Sequence, residues 1–182
     1  MSQNVDGDRP PAVTIRAYLE ADEAEVVALW TACGLVRPWN DPRKDIARKL
    51  AVQRDLFLVG RAGPGDRLAA PARSAGVRLP ERTTVAHRAC GAERLVATVM
   101  AGHDGHRGWV NYLAVDPASR RLGLARSMMA AVEERLRRLG CAKINLQIRS
   151  DNRDAIAFYQ RIGFGEDAVL SMGKRLERDD ET

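Results

Sequence analysis

The sequence predicts an α/β (α+β) domain: a mixed central sheet of about six to seven strands flanked by about four helices. Three observations lead there. Short apolar segments with the twofold alternation of strands are interleaved with longer segments that carry an apolar stripe at helical spacing. The 182 residues suit one domain with a sizeable core rather than two. No segment repeats, and 45% hydrophobic against 29% charged residues is the balance of a globular chain.

The elements follow in order. Residues 1–11 hold Gly7, Pro10 and Pro11 without periodicity and read as a flexible tail ahead of a single domain at 12–177. Val13 to Ala17 alternates as a strand. A helix then runs to about Cys33, with Ala24, Val27 and Trp30 on one stripe, acidic residues in its first turn and Gly34 to end it. Asp41-Pro42 is a helix start, a capping carboxylate before proline at the first helical position, and Ile46 and Leu50 supply its apolar side. Leu56 to Val59 is a short buried strand, expected to pair with Leu95 to Ala101. Between them, 61–93 contains Pro64, Pro71, Pro80 and arginines in excess of acids, with no apolar period, and reads as an insertion in a hairpin. Gly102 to Gly108 is a polar turn, and Trp109 to Val115 a strand stopped by Asp116-Pro117. Ser119 to Leu139 is the strongest helix, with Ala125, Met128, Met129, Val132, Leu136 and Leu139 on its stripe and Gly140 after it. Ile144, Leu146 and Ile148 alternate as a strand, Asn152 to Ile162 is a helix closed by Gly163, and Ala168 to Leu176 is a last strand before an acidic tail at 178–182.

Composition narrows the function. The net charge of +5 suits an anionic cofactor, but aromatics are only 5% and none interleave with the basic residues, so nucleic acid is not an expected partner. Cys33, Cys90 and Cys141 are too far apart for a disulfide framework or a zinc site, and Cys141 reads as a small buried thiol. His103 and His106 lack a third ligand, so no metal is expected. No apolar run reaches the roughly 20 residues of a membrane span, and Met1 to Pro11 lacks a secretory signal's apolar stretch, which makes a cytoplasmic protein the expectation.

One stretch carries chemistry. In Tyr112-Leu-Ala-Val-Asp-Pro-Ala-Ser-Arg-Arg-Leu-Gly-Leu-Ala-Arg126 a strand runs into a turn that opens an amphipathic helix. The first turn of a helix has unpaired N–H groups and the positive end of the dipole. Gly123 lets the backbone approach an anion, and Arg120, Arg121 and Arg126 add positive charge. The physical reading is a diphosphate cradle; an ordinary strand–turn–helix with solvated arginines stands beside it. A Walker loop is excluded, because Gly173-Lys174 is followed by Arg175 and Ala168 stands where the first glycine belongs.

Arg120-Arg-Leu-Gly-Leu-Ala125 resembles the pyrophosphate loop of the GNAT superfamily of N-acyltransferases, (Gln/Arg)-x-x-Gly-x-(Gly/Ala), after that family's strand and Asp-Pro. Asn152-Arg-Asp-Ala-Ile-Ala-Phe-Tyr-Gln-Arg-Ile-Gly-Phe164 is similar to its second motif, Asn-x-x-Ala-x-x-(Phe/Leu)-Tyr-x-x-x-Gly-Phe. The resemblance spans roughly Val13 to Leu176. More narrowly, Leu35 to Pro42, Asp104 to Gly108 and Gly173 to Leu176 resemble the small bacterial acetyltransferases of the YpeA type.

The resemblance implies the GNAT fold, with the sheet splayed between its fourth and fifth strands and acetyl-CoA as co-substrate in the split. By position, the main chain of Leu113, Ala114 and Val115 would meet the thioester and pantetheine. Arg120, Arg121, Leu122, Gly123, Leu124, Ala125 and Arg126 would hold the pyrophosphate, and Asn152 the pantetheine arm or a water. The reaction is attack of a neutral primary amine, on a small molecule or a peptide, within a ternary complex. Tyr159 occupies the family's general-acid position. The family's frequent carboxylate base is missing, since Asn111 and Tyr112 stand there; Asp104 and His106 are the expected base, with His103 and Asp41 as alternatives. Trp39 and Arg37 suit a substrate rim, and a homodimer is left open. The competing reading is a non-catalytic acyl-CoA-binding sensor or assembly module of the same fold.

Overall fold

The computed structural model describes residues 13–63, 93–176 and 179. The expected tail at 1–11, all of the 61–93 insertion from 64 to 92, and the acidic tail apart from Asp179 lie outside the described residues.

Five strands form one sheet in the order β1 (Val13–Ala17), β2 (Phe57–Ala62), β3 (Arg94–His103), β4 (Gly108–Val115) and β5 (Ile144–Leu146). The first four are antiparallel neighbours, and β5 lies parallel to β4. The mixed sheet matches expectation, but its size does not: among the described residues it has five strands, not six to seven. Ala168 to Leu176 alternates in sequence yet joins no ladder, and Val169, Leu170, Met172 and Leu176 are exposed. The cause is local. β5 is three residues long, so it offers few backbone groups, and the segment reaches its surroundings through side chains, Asp167 with Lys143 and Ser171 with Gln147.

Helices α1 (Glu23–Ala32) and α2 (Pro42–Gln53) cover one face, and α3 (Leu124–Arg138) and α4 (Arg153–Arg161) the other. Strand β2 shows why both faces close. Phe57 and Val59 join Tyr18, Val26 and Trp30 on the first face, while Leu58 joins Met128, Met129, Val132 and Leu136 on the second. Gly60 allows the close approach of α3, because a Cβ there would lie 3.2 Å from the Met128 sulfur and 3.1 Å from a Val13 methyl. Arg61, read from sequence as part of the insertion, belongs to β2. Its guanidinium bridges Asp22 at 3.0 Å, Glu25 at 3.0 Å and the Glu93 carbonyl at 2.8 Å. Asp22 also takes a two-pronged bond from Arg16 at 2.7 and 2.8 Å, which joins β1 to the start of α1.

The register between β3 and β4 breaks between Thr98 and Met100. Thr98 faces Ala114 and Met100 faces Asn111, so Tyr112 and Leu113 together oppose Val99. This is a β-bulge, and Tyr112 sits in it at φ 51. The buried Trp30 indole N–H donates to the Thr98 hydroxyl at 2.8 Å, that hydroxyl donates to the Tyr112 carbonyl at 3.3 Å, and the Tyr112 ring stacks on Trp30 at 4.1 Å. Thr98→Val should therefore strand the indole N–H and release the Tyr112 carbonyl, lowering unfolding free energy by about 1–3 kcal/mol. Urea denaturation checks this, and an unchanged midpoint would show that the bonds contribute nothing.

Candidate active site

The sheet opens between β4 and β5. They pair only at Gly108 with Ile144, Trp109 with Asn145 and Val110 with Leu146. There β5 ends, while β4 runs on to Val115, so from Asn111 onward its outer edge has no backbone partner in the sheet among the described residues. The bulge at Tyr112 and Leu113 begins two residues past the last paired position, Val110. Leu113 and Val115 pack toward α3, and Ala114 packs with α1.

Beyond the strand, Asp116 shapes the connection to α3. Its carboxylate accepts the Ala118 N–H at 3.1 Å, the Ser119 hydroxyl at 3.1 Å and an Arg94 N–H at 2.8 Å, which fixes one 3-10 turn at Pro117–Ser119. The predicted helix start at Ser119 is thus corrected to Leu124, because residues 120–123 form a separate loop. In it Arg121 has φ 65 and Gly123 has φ 80, a conformation that glycine adopts without strain. A Cβ on Gly123 would meet nothing within 4 Å, so the backbone angle rather than space calls for glycine. Leu124 is buried, which anchors the helix end. The N–H groups of Leu124, Ala125 and Arg126 have no acceptor within α3 and stand beside two left-handed residues, an arrangement that receives anions. Arg121 and Arg126 are exposed there, and Leu122 packs beneath. Arg120 folds back, its Nε donating to the Val115 carbonyl at 3.4 Å. The loop and the unpaired edge fit an anionic cofactor with an extended polar arm.

On α4, Tyr159 packs edge-on between Phe158 and Phe164, with ring centroids 5.0 and 5.4 Å away. Burial pushes its phenol up to about 12, so it carries its proton at neutral pH. Asn152 caps α4, its side-chain oxygen accepting the Ala155 N–H at 3.2 Å. That oxygen is thus engaged in capping the helix.

The carboxylate expected as base is engaged within its own turn. Asp104 accepts the N–H of Arg107 at 2.6 Å and of His106 at 2.8 Å with one oxygen, and the Trp109 indole N–H at 3.0 Å with the other. Those bonds, the Arg107 and His106 N–H groups first, pull its carboxyl down to about 2, which makes it a weak proton acceptor. Its turn also leads into Gly108, where β4 and β5 are still paired, at the closed end of the split. His106 sits exposed in the same turn. His103 has its N–H and carbonyl both bonded to the Gln53 side chain, at 2.8 and 2.7 Å. Asp41 caps α2 by accepting the Arg43 N–H at 2.8 Å.

The residue that sequence reasoning missed is Asp45. The Tyr112 hydroxyl donates to its carboxylate at 2.6 Å, and Arg48 and Asn40 donate to it at 3.1 and 3.3 Å. The two partners are 67 positions apart, and Asp45 with Arg48 has the spacing of an ordinary helix-surface pair, so no local signal marks it.

Comparison with known proteins adds to this geometry. Residues 46–164 match the model of the acetyltransferase (GNAT) family. An acetyltransferase of Sodalis glossinidius is 38% identical over 168 residues, which are 92% of this chain and 98% of that protein. Among solved structures, Ard1 of Thermoplasma volcanium superposes with a TM-score of 0.63 at 22% identity, covering 86% of this chain and 85% of that one. The ribosomal-protein-S18-alanine N-acetyltransferase of Escherichia coli gives 0.57 at 19% identity, covering 86% and 79%.

The three tyrosines of the chain, Tyr18, Tyr112 and Tyr159, are each pushed up to about 12, chiefly by burial. The folded state thus holds their protons more tightly than the unfolded chain, whose phenols titrate near 10. Their contribution to stability is complete below about pH 10 and is lost as pH rises toward about 12. An absorbance titration should show phenolate only near pH 12, with urea midpoints falling from about pH 10 upward. A folded-state midpoint near 10 would contradict the burial.

Proposed function

This chain belongs to the acetyltransferase (GNAT) family and is an acetyl-CoA-dependent acetyltransferase, and we propose that it acetylates a primary amine by direct attack in a ternary complex. The observation that carries this reading is the run of unpaired main chain on β4 from Asn111, leading into the anion-receiving loop at 120–126.

In this reading acetyl-CoA lies along that edge. Its pyrophosphate takes the N–H groups at the start of α3, and Arg121 and Arg126 supply charge. The pantetheine adds to β4 as an extra strand would, bonding the main chain of Leu113, Ala114 and Val115. A main-chain N–H held rigid at the bulge stabilises the oxyanion that develops when the amine attacks the carbonyl. The departing sulfur needs a proton, and Tyr159 keeps one at neutral pH. Its hydroxyl has no hydrogen-bond partner among the described residues, which leaves it available to a ligand.

The acceptor is a small molecule or a peptide bearing an amine. In this reading the acceptor approaches an open depression of about 290 Å³ beside α2, lined by Asn40, Arg48, Arg175, Leu176 and Asp179. Trp39, 43% exposed, stands next to it and takes an Arg175 N–H on its carbonyl at 3.3 Å.

Calorimetric titration with acetyl-CoA tests the cradle. The natural protein should bind at micromolar concentrations. The doubly substituted variant Arg121→Glu, Arg126→Glu should bind at least about tenfold more weakly, a loss of about 1.4 kcal/mol or more. Equal affinity in the two would remove the pyrophosphate from this loop. Tyr159→Phe should lower turnover by about 100-fold while acetyl-CoA affinity stays within about twofold. Parallel losses would make Tyr159 a packing residue only.

A further inference from the structure

Acyl transfer to an amine also needs an acceptor for the amine's proton, and Asp104 is committed to its turn. The strand that offers its edge to the cofactor carries a second feature. Tyr112 stands where β4 leaves its ladder, and its hydroxyl meets the Asp45 carboxylate at 2.6 Å on the face covered by α1 and α2. We propose that Tyr112 takes the proton of the attacking amine and passes its own to Asp45, so that the two act as a proton-accepting pair. This deepens the acyl-transfer reading and rests on it.

Three observations support the pair. The phenol is held in one pose, because its ring stacks on Trp30 at 4.1 Å and its carbonyl takes the Thr98 hydroxyl. Asp45 is partly buried, its side chain 18% exposed, with Asn40 and Arg48 fixing its orientation. Both of those residues line the depression proposed for the acceptor, which brings it to the residues that bond Asp45. The charged groups around the pair are Arg48 on α2, bonded to Asp45 and to Asp179, and Asp179 itself. Lys44 and the Asp41 N–H in turn bond Asp179, at 3.2 and 3.1 Å. Burial first and the Asp45 bond second push the Tyr112 phenol up to about 12. It therefore works as a protonated relay, giving one proton as it receives another.

The step balances. The amine nitrogen bonds to the thioester carbonyl carbon, and the carbon–sulfur bond breaks with its electron pair on sulfur. One proton leaves the nitrogen for the Tyr112 oxygen as the phenol proton moves to Asp45. The sulfur takes a proton from Tyr159. Solvent then removes the proton from Asp45 and restores one to Tyr159, leaving an amide and the CoA thiol.

The test follows thiol release from acetyl-CoA with two acceptors, water alone and trialanine with its free α-amine, alongside calorimetry of acetyl-CoA. Tyr112→Phe preserves the ring and Asp45→Asn the side-chain shape. Each should lower kcat by about 100-fold with acetyl-CoA affinity within about twofold. Asp45→Ala should regain about tenfold or more of its rate in added formate, a small carboxylate that fits the gap. Thiol release in Asp45→Asn within about threefold of the natural protein, or no formate rescue of Asp45→Ala, would overturn the relay alone. A natural protein that binds acetyl-CoA but releases thiol to neither acceptor would overturn acyl transfer and the relay with it.

Discussion

The bulge at Tyr112 is the constraint on which the rest depends. A tyrosine with positive φ costs of order 1 kcal/mol or more and persists only where its surroundings over-determine it. Here they do so from two sides. Trp30 reaches from α1 with a hydrogen bond to Thr98 and a stacked ring, while the β3 ladder resumes on either side of the extra residue. The extra residue re-aims β4 two positions after its last pairing with β5. A continuous ladder would pair the edge that β4 leaves open from Asn111, so the strain and the opening are aspects of one arrangement.

The charges divide along the same line. On the β1–β2 side, arginines are consumed in structure: Arg16 and Arg61 converge on the buried Asp22. Burial pushes the Asp22 carboxyl up, but the bonds from Arg16 and the Leu19 N–H outweigh it and keep the group ionised. At the mouth of the split, Arg121 and Arg126 have no ion-pair partner among the described residues. Cations left uncompensated on an exposed loop suit a ligand that brings its own negative charge.

What the sequence made legible was whatever has a local signature. The stripe of α3, the start of α4 at Asn152 and the strand before Asp116 all follow from spacing within about 15 residues. What it hid depends on pairing at long range. A bulge is a miscount between two strands and leaves no mark on either alone, so Tyr112 read as an ordinary strand residue. Asp104 looked like a base because carboxylates in polar turns do, yet the turn's own N–H groups claim it. Ala168 to Leu176 alternated convincingly, but alternation needs a partner edge to become a strand, and β5 is short. Asp45 bonds Tyr112, a partner that only the folded chain brings near.

The hairpin of β2 and β3 has its own consequence. Its two strands stay paired to the register Ala62–Arg94, and Arg61 clasps the Glu93 carbonyl across that base. The two chain ends at this point are thus held together by the sheet, whatever connects them. Closure entropy grows only as the logarithm of length, so each doubling of a connector costs about 0.6 kcal/mol. This position is a natural socket. A fluorescent protein, a tether or a short epitope could be spliced there, at the end of the sheet where Arg94 bonds Asp116 and Ala62 packs with Leu124.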